Sequence, residues 1–142
     1  MTSPEQPHDA IVDYSRKWYV MAAISMGIFL ATIDGSIVNV ALPTLVDDLN
    51  TNFSTIQWVV LSYMLTLTTL MLGIGRLADI RGKKRIYFWG FVLFTIGSLL
   101  CAVSSTVEML IAMRVAQAIG ASMILALGPA ITTEAFPSSE RG

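Results

Sequence analysis

The chain has 142 residues, of which 54% are hydrophobic and 13% are charged, whereas a typical soluble domain has roughly 25% charged residues. This composition excludes an ordinary water-soluble domain and predicts an integral membrane protein. The net charge of −1 and the clustering of the basic residues in one short segment exclude a nucleic-acid-binding stripe.

The first predicted membrane helix spans residues 18–42 and follows a polar tail at residues 1–17, which we predict to be cytoplasmic and disordered. At ~1.5 Å per residue, the apolar run is long enough to cross a hydrocarbon core of ~30 Å. Arg16 and Lys17 precede it and predict that it begins on the cytoplasmic side. Pro43 is predicted to end it.

Three further apolar runs predict membrane helices at residues 56–74, 86–103 and 107–130. Ser54–Gln57 and Ser105–Glu108 have the spacing of capping boxes, which predicts that they open the second and fourth helices. Four crossings return the end of the sequence to the cytoplasm. The fold class is therefore predicted to be an all-α integral membrane protein.

The segment from Gly75 to Arg85 is the most charged part of the chain, and we predict that it is a loop in water. Five of the nine basic residues lie in it, namely Arg76, Arg81, Lys83, Lys84 and Arg85. Basic residues in short loops mark the cytoplasmic side of a membrane protein. The segment therefore predicts the orientation of the whole chain, with both ends in the cytoplasm.

Small residues recur every fourth position in two of the predicted helices. The first helix has Ala23, Gly27, Ala31 and Gly35, and the fourth has Ala112, Ala116 and Gly120. Such stripes let helices approach one another closely in lipid. We expect both to lie at helix–helix contacts.

Two ionisable side chains, Asp34 and Arg114, lie inside predicted membrane helices. Each costs at least ~2.5 kcal/mol to insert, so such residues normally face a protein interior or a water-filled cavity. Asp34 is nine residues from Pro43 and Arg114 is seven residues from Val107. These separations correspond to roughly 13 Å and roughly 10 Å along the two helices, which predicts similar depths.

The matched depths favour a hypothesis of coupling between the two residues. A nearby cation favours the charged form of Asp34, whereas removal from water favours its neutral form. Movement of the Arg114 guanidinium would then change whether Asp34 holds a proton or a cationic substrate. Gln117 lies one turn from Arg114 on the same face and would support it by hydrogen bonding. The alternative is a static ion pair that only joins the first helix to the fourth.

The order of residues in the charged segment resembles the loop between the second and third helices of the major facilitator superfamily. That loop runs Gly-x-Leu-Ala-Asp-Arg-x-Gly-Arg-Lys-Arg or close to it. Seven positions match, namely Gly75, Leu77, Ala78, Asp79, Gly82, Lys84 and Arg85. Lys83 is a like-charge replacement, and Ile80 departs from the pattern.

Two further segments carry the same resemblance. The segment from Asp34 to Pro43 resembles the end of the first helix of the fourteen-helix drug:proton antiporters. It includes Asn39, and it has Ser36 where that family has Thr. The pattern Leu110-x-x-x-Arg114-x-x-Gln117-x-x-Gly120-Ala121 resembles the fourth-helix motif of the superfamily, with Ala118 in place of Gly. In that family the arginine of this motif is implicated in proton coupling.

The resemblance implies that the chain forms the first four helices of the N-terminal six-helix half of a major facilitator fold. It implies proton-coupled efflux of drugs or other lipophilic small molecules by alternating access, with Asp34, Arg114, Gln117 and Asn39 at the coupling site. The basic segment, which comprises Gly75, Asp79, Arg81, Gly82, Lys83, Lys84 and Arg85, would gate the cytoplasmic side. No cofactor or metal is implied.

The partners implied are the lipid bilayer, protons, a small-molecule substrate and the remaining C-terminal part of a transporter, and the expected location is a plasma membrane, in bacteria the inner membrane. Two other classes remain open. A complete four-helix exporter acting as a dimer fits the length and Asp34, but it does not account for Arg114 or the basic segment. A non-transporting scaffold accounts for the small-residue stripes and not for the two charges.

Overall fold

The computed structural model describes residues 17–135. The predicted tail therefore lies outside the described residues, apart from Lys17. The described chain consists of four helices: α1 (Lys17–Asp48), α2 (Phe53–Arg81), α3 (Lys83–Ala102) and α4 (Val107–Ala135). All four are long and apolar enough to cross a membrane, which confirms the predicted all-α, multi-pass class.

Helix α1 continues beyond Pro43, so the prediction that this residue ends the helix is wrong. A proline inside a helix costs ~3 kcal/mol or more in water, but apolar packing here continues on both sides of it. Leu45 and Val46 pack beside Ile56 and Val59 of α2. This packing helps to offset the hydrogen bond that the proline removes.

The end of α1 is set by Asn50 and not by a proline. Its φ of 48° is left-handed, and asparagine adopts this conformation more readily than most residues. The Asn50 amide donates to Asp47 O at 3.3 Å and the Thr51 amide to Val46 O at 3.1 Å. These two bonds form a Schellman motif, which satisfies the last carbonyls of the helix.

Both predicted capping boxes are wrong in register. Asn52 caps α2, because its Oδ1 accepts from the Thr55 amide at 2.8 Å. At the start of α4, Thr106 Oγ1 accepts from the Met109 amide at 3.2 Å. The cap of α2 thus lies two positions before the predicted motif, and the cap of α4 lies one position after the first residue of its motif. Both agree with the general preference for short polar side chains at this position.

The basic segment is helical except at Gly82, so the predicted loop is reduced to one residue. Gly82 has φ 92°, a left-handed conformation that glycine adopts without a side-chain clash. Its amide donates to Ala78 O at 2.9 Å and closes α2, and α3 begins at the next residue. Helix α2 has 29 residues and at ~1.5 Å per residue is longer than a ~30 Å hydrocarbon core, so a charged helix end can project into water.

Helix α4 is the central element of the bundle. Half of the residues in its most apolar 18-residue stretch are buried, compared with 17% to 22% in the corresponding stretches of α1, α2 and α3. Its residues Leu127 and Ile131 enter one apolar cluster, Ala121 and Ile124 a second, and Leu110 a third. The core therefore follows α4 along its length.

The contact between α3 and α4 is made by glycines. A Cβ at Gly120 would lie 2.6 Å from Gly90 O and 2.8 Å from Phe94 Cα. A Cβ at Gly97 would lie 2.7 Å from Gln117 Cα. The two backbones thus approach too closely for any side chain at these positions, as in other membrane helix pairs with small interfacial residues.

The predicted small-residue stripes are only partly at contacts. Gly27, Ala31 and Gly120 are buried, whereas Ala23, Ala112 and Ala116 are exposed among the described residues. A strict four-residue spacing drifts by ~40° per step around a helix with 3.6 residues per turn. Such a stripe cannot face one neighbour along its full length.

Candidate functional site

The candidate site lies where polar side chains from the middle of α1 and from the first half of α4 meet. Asp34 belongs to α1, one turn beyond the buried Ala31. Arg114 and Gln117 are three residues apart on α4, so the helical repeat puts them on the same face. Both are buried, with 2% and 1% of their surface exposed.

Asp34, Arg114 and Gln117 form a closed ring of hydrogen bonds. Arg114 Nη1 donates to Asp34 Oδ2 at 2.7 Å and to Gln117 Oε1 at 2.7 Å. Gln117 Nε2 donates to Asp34 Oδ1 at 2.8 Å. Both carboxylate oxygens therefore have a donor, and the short Arg–Asp bond is charge-assisted. The two charges predicted to share a depth are in direct contact.

The members of this ring differ in their access to solvent. The Arg114 side chain is 3% exposed, whereas the Asp34 side chain is 16% exposed. A buried guanidinium without a partner is costly, so Arg114 needs the acid beside it. Asp34, in contrast, retains part of its surface outside the cluster.

Two further side chains complete the surroundings of the ring. The Tyr63 ring of α2 lies against the guanidinium, with Arg114 Cζ 4.2 Å from the ring centroid. Cys101 of α3 is half-buried, and its Sγ lies 3.7 Å from Gln117 Oε1. The cluster therefore receives a polar or aromatic side chain from each of the four helices.

A cavity of about 270 Å³ lies beside the cluster. Asp34 and Arg114 line it together with Val38, Leu45, Leu49, Val59, Cys101, Ala102, Ser104 and Leu110. These residues come from the end of the bundle where α1 and α3 finish and α2 and α4 begin, which is the outer end in the predicted topology. The volume beside Asp34 is ample for several water molecules.

The structure does not bring Asn39 into the cluster. Its Nδ2 donates to Gly35 O within α1 at 3.1 Å, and the residue is exposed. Thr32 and Ser36 make similar bonds, to Ile28 O at 2.8 Å and to Thr32 O at 3.2 Å. These three side chains form an exposed polar stripe on α1, with donors already satisfied by their own helix.

The predicted gating residues lie about the α2–α3 junction, away from the cluster. Gly75 is half-buried within α2, whereas Arg81, Gly82, Lys84 and Arg85 are exposed. Lys83 Nζ lies 4.0 Å from Asp79 Oδ1, and the Asp79 side chain is 70% exposed. At this distance and exposure the ion pair is weak. In residues 17–135, no group of three or more His, Cys, Asp or Glu side chains could hold a metal ion.

Tyr63 and the α3 glycines are the features that sequence reasoning missed. A signal for Tyr63 exists, because tyrosine is enriched at membrane interfaces and is unusual in the middle of a span. Tyr63 also lies at helical spacing from the buried Ile56 and Val59 of α2. For Gly90 and Gly97, the seven-residue spacing could have indicated a contact face.

Comparison with known proteins identifies the family. The model of the Major Facilitator Superfamily matches residues 24–142. The riboflavin transporter RibZ of Clostridioides difficile is 48% identical over 127 residues, which cover 89% of this chain and 28% of that protein. The putative multidrug resistance protein MdtD of Serratia proteamaculans is 40% identical over 117 residues, covering 82% of this chain and 24% of that protein.

A third relative is named for resistance to methylenomycin A. The methylenomycin A resistance protein of Streptomyces coelicolor is 35% identical over 121 residues, which cover 85% of this chain and 26% of that protein. The chain thus spans about a quarter of the length of these relatives.

Proposed function

The chain belongs to the major facilitator superfamily, a family of transporters and not of enzymes, and we propose that it is the N-terminal part of a proton-coupled transporter that exports small molecules by alternating access. The observation that carries this proposal is the ring formed by Asp34, Arg114 and Gln117. An ionised pair at membrane depth is expensive and normally marks a substrate, ion or proton pathway.

The ring provides a simple device for proton exchange. With Asp34 charged, Arg114 and Gln117 donate to both of its oxygens. Protonation of Asp34 removes its charge, weakens the bond from Arg114 and leaves the guanidinium with Gln117 Oε1. Since Arg114 is buried on the central helix, a shift of its side chain would change the contacts around it.

The static ion pair is the competing interpretation of the same contact. Two features support exchange instead. Asp34 is the more exposed partner, and it lines the cavity of about 270 Å³. A pair that only joined α1 to α4 would gain nothing from this access, and apolar side chains would serve at least as well.

The pairing also bears on the class of substrate. A lipophilic cation that bound directly to Asp34 would have to displace Arg114, which already occupies Oδ2 at 2.7 Å. A proton needs no such displacement. We therefore assign Asp34 to the proton, and we assign the substrate to the exposed polar stripe of α1 (Thr32, Ser36 and Asn39) together with the remainder of the transporter.

The names of the relatives suggest two substrates to test. RibZ is a riboflavin transporter and is 48% identical to this chain, whereas MdtD is named as a putative multidrug resistance protein. Riboflavin has hydroxyl groups that can donate to the oxygens of the polar stripe, whose own donors are already bonded within α1. A lipophilic drug such as ethidium needs mainly apolar contact. We propose riboflavin as the first substrate to assay and ethidium as the second.

We further propose a plasma-membrane location, with residue 17 and the α2–α3 junction on the cytoplasmic side. The exposed bases at this junction support that orientation. On this assignment the cavity beside Asp34 opens outward, and the residues around Gly82 gate the opposite side. Lipid, protons and the remaining part of the transporter are the partners, and no cofactor is required.

Transport in everted membrane vesicles tests the proposal. Full-length transporter containing this chain should take up riboflavin or ethidium when a proton gradient is imposed, and Asp34→Asn should abolish the gradient-driven component. Asp48→Asn is the matched control, because Asp48 is an exposed acid at the end of the same helix. Asp34→Asn protein that is inserted normally and retains full gradient-driven uptake would falsify the proton assignment.

A further inference from the structure

Beyond the coupling residues named from the sequence, α2 makes its own contact with the buried charges. Tyr63 is 2% exposed, and the Arg114 guanidinium carbon lies 4.2 Å from its ring centroid. A cation over an aromatic face is attracted by the ring quadrupole, and the attraction is stronger in a site without water. Tyr63 thus contacts the cation that pairs with Asp34.

The contact is made by the ring and not by the hydroxyl. Tyr63 Oη is buried and has no hydrogen-bond partner among the described residues. Arg114 Nε is likewise buried and without such a partner, so the ring and the acceptors on Asp34 and Gln117 are what hold the guanidinium. Removal of the ring would leave the guanidinium held only by these acceptors.

We infer that Tyr63 is a positioning residue that holds the Arg114 guanidinium against Asp34 and thereby sets how readily Asp34 takes up a proton. This inference rests on the proposed function, since it concerns the same exchange. The titratable groups around Asp34 in the described chain are Arg114 on α4, Tyr63 on α2 and Cys101 on α3. Of these, only Arg114 is a cation, so its position decides the local field.

The direction of the effect follows from the charges. A cation close to a carboxylate favours its charged form. With the ring removed, Arg114 spends less time beside Asp34, and the neutral acid becomes more populated at any given pH. Tyr63→Phe keeps the ring and removes only an unpartnered hydroxyl, so it should leave the exchange unchanged.

Labelling with dicyclohexylcarbodiimide tests this inference, because the reagent modifies protonated carboxyl groups within membranes. The extent of Asp34 modification in full-length transporter is measured by mass spectrometry across a pH series. For Tyr63→Leu, the half-labelling pH should move up by about 0.5 to 1 unit, the shift that loss of one cation–π contact would produce. Tyr63→Phe should have the same half-labelling pH as the protein without a substitution.

The outcomes separate positioning from a purely structural role. If Tyr63→Leu lowers thermal stability but leaves the half-labelling pH unchanged, or if Tyr63→Phe behaves like Tyr63→Leu, the inference is overturned. The readout does not depend on transport. Normal gradient-driven uptake by Asp34→Asn would therefore overturn the proposed function, whereas an unchanged half-labelling pH in Tyr63→Leu would overturn only the role of Tyr63.

Discussion

Helix α4 contacts α3 and α1 in opposite ways. Toward α3, Gly120 lets the backbones meet so closely that an added Cβ would lie 2.6 Å from Gly90 O. Toward α1, the long side chain of Arg114 reaches the carboxylate of Asp34. The first contact cannot change without separation of the helices, whereas the second can change by rotation about side-chain bonds.

Gln117 belongs to both contacts. Its backbone lies against Gly97, where a Cβ would be 2.7 Å from Gln117 Cα, and its side chain bonds both Asp34 and Arg114. The rigid contact therefore fixes the base of a side chain that takes part in the adaptable one. A firm scaffold on one side of α4 allows small rearrangements on the other to be reproducible.

Removal of Arg114 should have the largest effect on stability. In Arg114→Leu, the carboxylate of Asp34 remains without its cation, and loss of one partner of a buried pair costs ~3–5 kcal/mol. The free energy of unfolding in detergent measures the cost. Because an unpaired Asp34 can take up a proton instead, the loss should shrink as the pH is lowered.

The double variant Asp34→Asn/Arg114→Leu is the control for this comparison. It removes both charges and should be more stable than Arg114→Leu alone at neutral pH. If the loss of stability in the double variant equals the sum of the losses in Asp34→Asn and Arg114→Leu, the two residues are not coupled.

Gly120→Ala should have an intermediate effect and should act on the rigid contact. The added methyl meets backbone atoms of Phe94 and Gly90, so α3 and α4 must move apart at a cost of about 1–3 kcal/mol. Thermal unfolding measures the change. Gly73→Ala is the matched control, because a Cβ at Gly73 meets no described atom within 4 Å. Equal melting temperatures for the two variants would contradict the close contact.

Asp79→Asn should have the smallest effect on stability. The pair with Lys83 spans 4.0 Å with Asp79 largely exposed, and exposed pairs contribute less than ~1 kcal/mol. A gate at this junction, in contrast, would make the same variant change the transport rate in vesicles. A large loss of stability without a change in transport would assign Asp79 to the fold and not to gating.

The sequence predicted four spans and the meeting of Asp34 with Arg114, because apolar runs and isolated charges are local signals. It placed the end of α1 wrongly, because packing beyond Pro43 depends on residues in α2 that are distant in the chain. For the same reason it missed the α3–α4 glycine contact. Backbone proximity between two helices is a tertiary property, and a spacing of small residues only permits it.

The cluster itself was only partly predictable. Gln117 followed from its spacing to Arg114 on one helix, whereas Tyr63 lies on another helix and its contact depends on how α2 packs. Asn39 matched a family pattern, yet its side chain bonds its own backbone at Gly35 O. A sequence motif identifies residues of interest, but the rotation of each helix decides which of them meet.

The most direct test of the account is the infrared carbonyl band of protonated Asp34, followed against pH in full-length transporter and assigned by its loss in Asp34→Asn. The contact between Arg114 and Asp34 predicts that Arg114→Gln raises the protonated fraction of Asp34 throughout the titration, because the neighbouring cation is removed. An unchanged titration of this band in Arg114→Gln would contradict the account.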